Sequence, residues 1–385
     1  MPKDAISLHK KLKGKTYIES KIHSLTVDDI KLIYTPGVAK VCQQIFRHSE
    51  LKYSFTSKGN TVAIVTDGTR VLGLGNIGPD AALPVMEGKA VLYREFGKIS
   101  AFSICLNTRN KKEIIDTIKS IEPVFGAINL EDIESPKVLE ISKELEKKLS
   151  IPVFHDDGQG TAIVALAALF NSLKLVKKNL SKIKIVIVGA GSAGYWIGKL
   201  LKYAGCRNII VLDSNGPINK GRKNNMNKYK TEISKFTNPK EKGTLSEVLV
   251  NADVFIGVSG IKNLLKENMI KNMNRDPVIL ALTNPYPEII PSIAKKAGAK
   301  IVATGSYKYK NQVNNAVVFP YLMRAILDLR IRKITMKILH ATSLAIANTL
   351  TKKELSVDHI IPNISNKKLQ GRITNSLIQI TKKSL

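Results

Sequence analysis

Apolar runs that end in acidic residues recur along the first 160 positions of the chain. Residues 62–66 are typical of a buried strand closed by an Asp-Gly pair, and residues 124–130 and 151–154 are typical of two more strands, each followed by acidic residues. Between these two, residues 136–149 carry apolar side chains at helical spacing. The alternation predicts a parallel sheet with helices on its faces.

A second α/β unit is predicted further along the chain. A helix begins at Thr161, and a strongly apolar strand follows at residues 183–188. Additional strands are indicated at residues 209–212, 253–258, 278–282 and 300–303. From residue 325 the pattern becomes helical, for example over residues 333–350, and we expect this tail to pack back on the first domain.

Composition favours a soluble globular protein of two or three domains. The chain has 385 residues, of which 44% are hydrophobic, with ordinary amounts of glycine and proline. The N-terminus has no signal-peptide core, and the longest apolar stretch, residues 161–175, is shorter than the ~20 residues that a membrane span needs. Three cysteines without a CxxC pair argue against disulfides or a zinc site. We therefore expect a cytoplasmic protein that is not bound to a membrane.

The formal net charge of +29 raises the question of nucleic-acid binding. The excess is mostly lysine and is spread over many predicted helix surfaces, which indicates a solvated lysine-rich surface and no specific nucleic-acid partner. Residues 220–230 form a local basic run that could contact anionic polymers. A basic field can also speed the capture of small anions.

The strand at 183–188 leads directly into a glycine-rich loop that fits a dinucleotide. The loop is a GxGxxG formed by Gly189, Gly191, Ser192, Ala193 and Gly194, with the sequence GAGSAG over residues 189–194. Such glycines let backbone N–H groups approach a pyrophosphate at the start of a helix. A helical pattern and a second strand follow, as a Rossmann-type unit requires; a purely structural turn is the alternative interpretation.

The second strand of this unit ends at Asp213, near the position that contacts the adenosine ribose in dinucleotide-binding folds. A carboxylate there accepts hydrogen bonds from the ribose hydroxyls and repels a 2′-phosphate, which favours NAD. Lys220 and Arg222 are close enough in sequence to offset this repulsion, so NADP remains an alternative cofactor.

Two acidic pairs follow neighbouring strands of the first predicted sheet. They are Glu131-Asp132 and Asp156-Asp157. Because ligands of parallel sheets bind at the carboxyl ends of the strands, both pairs should face one crevice. Carboxylates gathered there call for a divalent cation, and oxygen ligands suit Mg²⁺ or Mn²⁺. For Glu131 and Asp132 to bind one ion together, the chain must already have left the strand; acids at helix N-termini are the alternative interpretation.

Three further side chains are candidates for chemistry near the first sheet. Arg70 supplies a fixed cation that can clamp a carboxylate. Lys89 follows a glycine-rich, weakly charged stretch, where partial burial would lower its pKa towards that of a useful base. Tyr34 is a possible acid.

Taken together, these motifs resemble those of the malic enzyme family. The matching segments appear in the family's order over about residues 10–380: 34–39 (YTPGVA), 66–75 (TDGTRVLGLG), 87–89 (EGK), 130–133 (LEDI), 154–157 (FHDD), 160–162 (GTA), 189–194 (GAGSAG), 283–285 (TNP) and 311–316 (NQVNNA). The chain is most similar to the compact bacterial and archaeal members, which lack a C-terminal phosphotransacetylase-like domain. The resemblance implies oxidative decarboxylation of malate to pyruvate.

The resemblance also implies a division of the chain. We expect an N-terminal α/β substrate- and metal-binding domain over residues 1–160. A Rossmann-type NAD(P)-binding domain should cover residues 161–325. A helical C-terminal segment over residues 326–385 completes the α/β fold.

Roles for individual residues follow from the same resemblance. The expected catalytic residues are Lys89, aided by Asp156, as the base for the C2 hydroxyl, and Tyr34 as the acid that protonates C3 of enolpyruvate. The expected metal ligands are Glu131, Asp132 and Asp157. The expected substrate ligands are Arg70, Asn284, Asn314 and Asn315, with Asn284 and Asn315 also lying on the nicotinamide side. A homodimer is expected, with Tyr34 as a candidate for crossing to the partner.

Two related reactions and one different class of protein remain as alternatives. Decarboxylation of oxaloacetate alone, or a malolactic reaction that retains the cofactor, would use the same lysine, tyrosine and metal. The third hypothesis is a non-catalytic basic binding protein with the same fold. The complete set of candidate catalytic and metal-binding residues argues against it.

Overall fold

A computed structural model describes residues 4–238 and 241–382 of the chain. Its strands are β1 (Thr61–Thr66), β2 (Ser100–Cys105), β3 (Ala127–Leu130), β4 (Val153–His155), β5 (Lys184–Val188), β6 (Asn208–Asp213), β7 (Gly216–Pro217), β8 (Val254–Gly257), β9 (Val278–Ala281) and β10 (Ile301–Thr304). They form a four-stranded and a six-stranded sheet.

The helices surround these two sheets. Their bounds are α1 (Ala5–Leu12), α2 (Val27–Ile33), α3 (Val38–Arg47), α4 (Lys52–Phe55), α5 (Gly78–Gly97), α6 (Lys111–Ile121), α7 (Lys137–Lys148), α8 (Thr161–Val176), α9 (Ser192–Tyr203), α10 (Lys228–Ser234), α11 (Leu245–Leu249), α12 (Glu267–Lys271), α13 (Pro291–Lys296), α14 (Phe319–Asp328), α15 (Met336–Ala347) and α16 (Lys368–Lys382).

The four-stranded sheet is parallel and has the order β2-β1-β3-β4. Every residue of the central β1 is buried, as its run of β-branched side chains predicts. Leu130, the last residue of β3, lies opposite His155, the last residue of β4. The two acidic pairs therefore leave adjacent strands side by side.

The six-stranded sheet has the order β10-β9-β8-β5-β6-β7, with parallel pairing except for the edge strand β7. The chain moves outward from β5 to β6 on one side and then returns to β8 on the other side of β5. This reversal of strand order creates the crevice in which α/β folds bind nucleotides. The Rossmann-type prediction is confirmed.

The strands and main helices of the predicted α/β units are present, with shifts at their ends. The strand expected at 124–130 begins only at Ala127, because Glu122–Val124 form a 3₁₀ turn that contains Pro123. Several elements were not anticipated, among them β2, whose residues are only half-buried, and α5, whose first turns carry glycine and two prolines.

The helical tail packs mainly on other helices. Helix α15 packs against α8 and α16, and α14 joins the tail to α5 of the first sheet's layer. Asn171 of α8 fixes the tail, since its side-chain amide donates to the backbone oxygens of Ala347 and Ile360 at 3.0 and 2.9 Å. Helix α14 begins at Phe319, before the expected tail. The tail itself contacts the first domain through Arg330, whose Nη2 donates to Ser54 Oγ at 3.5 Å.

Helix α8 is the most apolar helix in the described part of the chain. With the turn before it, it is long and apolar enough to cross a membrane by length and composition, but 72% of its apolar window is buried inside the protein. It separates the two sheets in sequence. The domain bounds at 1–160, 161–325 and 326–385 stay a prediction, and their outermost residues, 1–3 and 383–385, lie outside the described residues.

Candidate active site

The acidic pairs converge where β3 and β4 end. Strand β3 stops at Leu130, and Asp132 has a left-handed backbone with φ of 50°, so the chain has left the strand before both acids are passed. The Asp156–Gly160 segment forms a π-helical turn that leads into α8. The backbone N–H of Asp132 donates to Asp157 Oδ2 at 2.9 Å, which ties the two pairs together.

Lys89 of α5 lies between these acids. Its Nζ donates to Glu131 Oε2 at 2.6 Å and to Asp156 Oδ2, and it lies 4.2 Å from the centre of the Phe319 ring. Only 7% of the residue is exposed. The structure therefore brings Lys89 together with Asp156 and with Glu131, one of the three expected metal ligands.

The pKa of Lys89 is shifted in the opposite direction to the sequence prediction. Burial alone would lower this pKa, but the charges of Asp156 and Glu131 outweigh burial and raise it. The prediction treated the lysine's surroundings as weakly charged and missed the carboxylates that β3 and β4 deliver to it. Lys89 is held as a cation in this arrangement.

The carboxylates themselves have raised pKa values. Burial is the main cause for all four, and it raises the pKa of Asp132 to about 9 with help from the charges of Asp157 and Glu131. The pKa of Asp156 rises to about 7, because burial outweighs the effect of Lys89. Those of Glu131 and Asp157 are also raised. The four carboxyls therefore resist ionisation, since Lys89 alone cannot balance four negative charges.

This arrangement fits a divalent cation in charge and in donor type, although the ligands are not yet gathered. Within residues 4–238 and 241–382, no three His, Cys, Asp or Glu side chains stand in a ready metal-binding geometry. Glu131 is turned to Lys89, and Asp157 accepts from the backbone of Asp132. However, the buried Oδ2 of Asp132 has no hydrogen-bond partner, and all three acids offer oxygen. Glu131, Asp132 and Asp157 are the residues that would hold the ion.

Three residues that the sequence did not single out support this centre. Asn129 of β3 donates to Glu131 Oε2 at 2.9 Å and accepts from the Tyr93 hydroxyl at 2.7 Å. Tyr93 packs its ring 4.8 Å from that of Phe319. All three are buried, and no local motif marks them, because only the fold brings them to Lys89. Neighbouring His155 is fully buried, which lowers its pKa to about 3.

Arg70 and Tyr34 do not join the centre in a single chain. Arg70 is exposed, and its backbone N–H donates to the backbone oxygen of Asp132 at 3.0 Å, so the residue borders the acidic loop. Tyr34 follows α2 and is 70% exposed. Among the described residues, no hydrogen-bond or ring partner of its side chain is found.

The three asparagines predicted to bind substrate have different positions. Asn315 donates to Asp156 Oδ2 at 2.8 Å, which links it to the Lys89 centre. Asn314 is occupied locally, since its side chain accepts from the N–H of Ala316 and caps the turn at 315–317. Asn284 is exposed on a loop close to the 70–75 loop: a Cβ on Gly73 would lie 2.5 Å from Cδ of Pro285. The cleft is thus bounded by both sheets.

The glycines of the 189–194 loop meet three distinct requirements. Gly189 has φ of 114°, and a Cβ there would lie 2.4 Å from the backbone oxygen of Val258. A Cβ on Gly194 would lie 1.8 Å from the oxygen of Gly189, so α9 could not approach β5. A Cβ on Gly191 would meet open space, the room that a pyrophosphate needs. Ser192 and Ala193 begin α9, and the loop fits a dinucleotide.

A buried carboxylate joins two further loops of this cleft. Glu288 is fully buried, and its Oε1 accepts from the backbone N–H and hydroxyl of Ser259, each at 3.0 Å. Its carboxylate also accepts from the backbone N–H of Thr283 at 3.3 Å and from the Thr283 hydroxyl. Glu288 therefore holds the loop beside Gly189 to the loop that carries Asn284.

Comparison with known proteins agrees with this geometry. The family model described as the malic enzyme NAD-binding domain matches residues 158–380, and the model of the malic enzyme N-terminal domain matches residues 11–116. The chain belongs to the malic enzyme family. A bifunctional malic/malolactic enzyme of Bacillus subtilis is 48% identical over 97% of this chain and 91% of that protein.

Other malic enzymes are similarly close. An NAD-dependent malic enzyme of Geobacillus stearothermophilus is 48% identical over 95% of this chain and 76% of that protein. The crystal structure of an NAD-dependent malic enzyme from Thermotoga maritima has a TM-score of 0.93 at 45% identity and covers 97% of this chain and 98% of that one. The two-domain malic enzyme architecture is therefore shared, and the family named from the sequence motifs is confirmed.

Proposed function

We propose that the protein oxidises and decarboxylates malate to pyruvate and CO₂ and reduces a nicotinamide cofactor. The observation that carries this proposal is Lys89, bound between Glu131 and Asp156. Helix α9, which follows the glycine loop, packs against the turn that begins at Asp156. A lysine–carboxylate pair next to a nicotinamide cofactor suits a substrate whose hydroxyl group loses a proton while the carbon that bears it loses a hydride. The names of the malic enzyme relatives agree with it.

In the proposed reaction, the hydride leaves C2 of malate for the nicotinamide, and the C2 hydroxyl proton passes to the Lys89–Asp156 pair. The C3–C4 bond then breaks, CO₂ leaves, and the electron pair remains at C3 as enolpyruvate. Asn315 orients Asp156 through its 2.8 Å hydrogen bond. Arg70, Asn284 and, less directly, Asn314 are proposed to hold the carboxylates of the substrate.

A metal is part of the proposal. Mg²⁺ or Mn²⁺ held by Glu131, Asp132 and Asp157 would polarise the C2 oxygen and the C1 carboxylate. The unpaired Oδ2 of Asp132 and the raised pKa of that carboxyl support a cation among these acids. Binding it requires Glu131 to turn partly away from Lys89, which would also ease proton acceptance by the amine.

We propose a homodimer in which Tyr34 reaches the partner's site and protonates C3. Helices α1, α2 and α3 bury none of their residues in the single chain. Large apolar side chains are exposed there, with Phe46 91% and Leu32 70% exposed. Apolar surface of this kind is typical of an interface between chains. A cytoplasmic location is also proposed, as composition predicts.

The proposed cofactor is NAD, with NADP as the alternative. The glycine loop supports a dinucleotide in either case, because both cofactors carry the same pyrophosphate. A malolactic reaction is a second candidate function, since the 48% identical Bacillus subtilis relative is named bifunctional malic/malolactic enzyme. Neither specific nucleic-acid binding nor membrane attachment is part of the proposal.

One assay tests the proposed function and separates it from the alternatives. The protein is mixed with malate, Mn²⁺ and either NAD or NADP, and absorbance of the reduced cofactor is followed together with pyruvate and lactate. Equal amounts of reduced cofactor and pyruvate are expected. Lactate without net cofactor reduction would favour the malolactic reaction. No turnover of malate, together with decarboxylation of oxaloacetate supplied in its place, would contradict both.

A further inference from the structure

Asp213, where β6 ends, is surrounded by cations. Its Oδ2 accepts from Arg222 Nη2 and from Lys230 Nζ, each at 2.7 Å. The side chains of Arg222, Asp213 and Lys230 are only 9%, 10% and 13% exposed. The sequence placed Asp213 at the ribose as a free carboxylate, whereas the fold brings Lys230 of α10 and Arg222 to it. Two buried cations against one carboxylate leave this cluster positively charged.

The oxygens of Asp213 are almost fully used. Oδ2 also lies 3.4 Å from the Asn225 side-chain amide, and Oδ1 accepts from the backbone N–H of Asn215 at 2.8 Å. A carboxylate offers about four acceptor positions in all. Asp213 therefore has little capacity left for two ribose hydroxyls. Burial raises its pKa, but the hydrogen bonds from Arg222 and Lys230 outweigh burial and keep the pKa below its usual value.

Arg222 and Lys230, by contrast, have N–H donors that are not used in these hydrogen bonds. Three N–H groups of Arg222 donate hydrogen bonds: one to the Asp213 carboxylate, one to the backbone oxygen of Gly216 and one to the backbone oxygen of Asn224. Since a guanidinium has five donors, two remain. Lys230 donates to Asp213 and to the oxygen of Asn225, which leaves one of its three. Unused donors on a partly buried positive cluster suit an acceptor-only dianion, and a phosphate is such a group.

We propose that Arg222 and Lys230, held in place by Asp213, form a subsite for the 2′-phosphate of NADP, so that the protein uses NADP as well as NAD. This inference rests on the proposed function, because it takes the second α/β unit to bind the adenosine end of the cofactor. Asp213 then acts as a positioning residue for the two cations and is not the main ligand of the ribose. The sequence predicts that the Asp213 carboxylate repels the 2′-phosphate, but the charges of Arg222 and Lys230 compensate that of the carboxylate.

Binding of adenosine fragments tests this subsite without any turnover. Isothermal titration calorimetry would compare 2′,5′-ADP with 5′-AMP and with 3′,5′-ADP, which carries the same added phosphate on the neighbouring hydroxyl. The variants are Lys230→Met and Arg222→Met. Lys228→Met is the matched control, since Lys228 is exposed two positions earlier on the same helix and points elsewhere.

The unaltered protein should bind 2′,5′-ADP about tenfold or more tightly than either 5′-AMP or 3′,5′-ADP. Lys230→Met and Arg222→Met should each weaken 2′,5′-ADP about ten- to hundredfold, as expected for a lost hydrogen bond to a charged group. Affinity for 5′-AMP should change little in the same variants, which also shows that the nucleotide domain is folded. Lys228→Met should leave 2′,5′-ADP binding nearly unchanged.

Two results would overturn the subsite. One is equal binding of 2′,5′-ADP and 5′-AMP by the unaltered protein, and the other is retention of 2′,5′-ADP affinity in both variants. Equal losses in Lys228→Met would likewise contradict it, because a general basic field would then explain the binding. Failure of the unaltered protein to bind any of the three nucleotides would instead remove the proposed function itself.

Discussion

Replacing Lys89 with methionine should separate the stability of the site from its chemistry. Methionine keeps the length of the side chain and can still pack against the Phe319 ring. In the described chain, Lys89 is the cation that pairs with Glu131 and Asp156, and both acids are buried. Removing one partner of a buried ion pair costs about 3–5 kcal/mol. Removing a general base should lower kcat about 10²–10⁴-fold.

The two losses should respond differently to metal. Thermal unfolding of Lys89→Met in EDTA and in Mn²⁺ would measure stability, and malate-dependent cofactor reduction would measure turnover. Mn²⁺ should restore much of the stability, since a divalent cation among the acids replaces the missing charge. Turnover should remain low in both conditions, because the methionine thioether cannot accept the proton of the C2 hydroxyl.

Lys178→Met provides a matched control for the loss of a part-buried ion pair. Lys178 pairs with Asp253 at 2.8 Å, and both residues precede strands of the second sheet, away from the strand ends that face the cleft. This variant should lose stability and keep its turnover. Near-wild-type kcat in Lys89→Met with the metal bound, or turnover that returns together with stability in Mn²⁺, would refute the role given to Lys89.

Three other results are expected. EDTA should abolish turnover and Mn²⁺ or Mg²⁺ should restore it; full activity after exhaustive chelation would remove the metal from the proposal. Tyr34→Phe should still permit hydride transfer but slow protonation at C3, so that cofactor reduction in a rapid-mixing assay outpaces pyruvate release. Mixed dimers of Tyr34→Phe with Lys89→Ala should regain activity, whereas no recovery after proven subunit exchange would argue for a site within one chain. Asn171→Ala should lower the free energy of unfolding in urea by about 1–3 kcal/mol, because the backbone oxygens of Ala347 and Ile360 lose their donor; an unchanged value would show that packing alone holds the tail.

Much of the fold could be predicted because local signals and the global fold agree. The GAGSAG loop lies between a β-branched strand and a helix, and strands 209–212, 278–282 and 300–303 were found within a residue or two of β6, β9 and β10. Helix α5 was hidden by the opposite situation. Its first turn begins with Gly78 and Pro79, and Pro84 lies inside it, so propensity argues against a helix that tertiary packing stabilises.

The meeting of the acidic pairs was predictable from the sequence, whereas the electrostatics of the site were not. Acids after two strands were enough to place Glu131, Asp132 and Asp156 in one crevice, since parallel strands end at one edge. The pKa of Lys89 depends on which oxygens approach its amine, and that depends on the register of Leu130 with His155. Tyr93 and Asn129 reach the centre only through this same packing, so no spacing along the chain reveals them.

Glu288 should couple the local unfolding of two loops, the one that contains Ser259 and the one that begins at Thr283. Its carboxylate accepts hydrogen bonds from the backbone N–H groups of both Ser259 and Thr283, and no cation in residues 4–238 or 241–382 pairs with it. An opening that frees one loop leaves the charge short of donors inside the protein, so the second loop is destabilised at the same moment. The amide protons of Ser259 and Thr283 should therefore exchange with deuterated water at matched rates, although the two residues are far apart in the sequence. The loops at Ser259 and Thr283, which lie beside the glycine loop, should therefore unfold as a single cooperative unit.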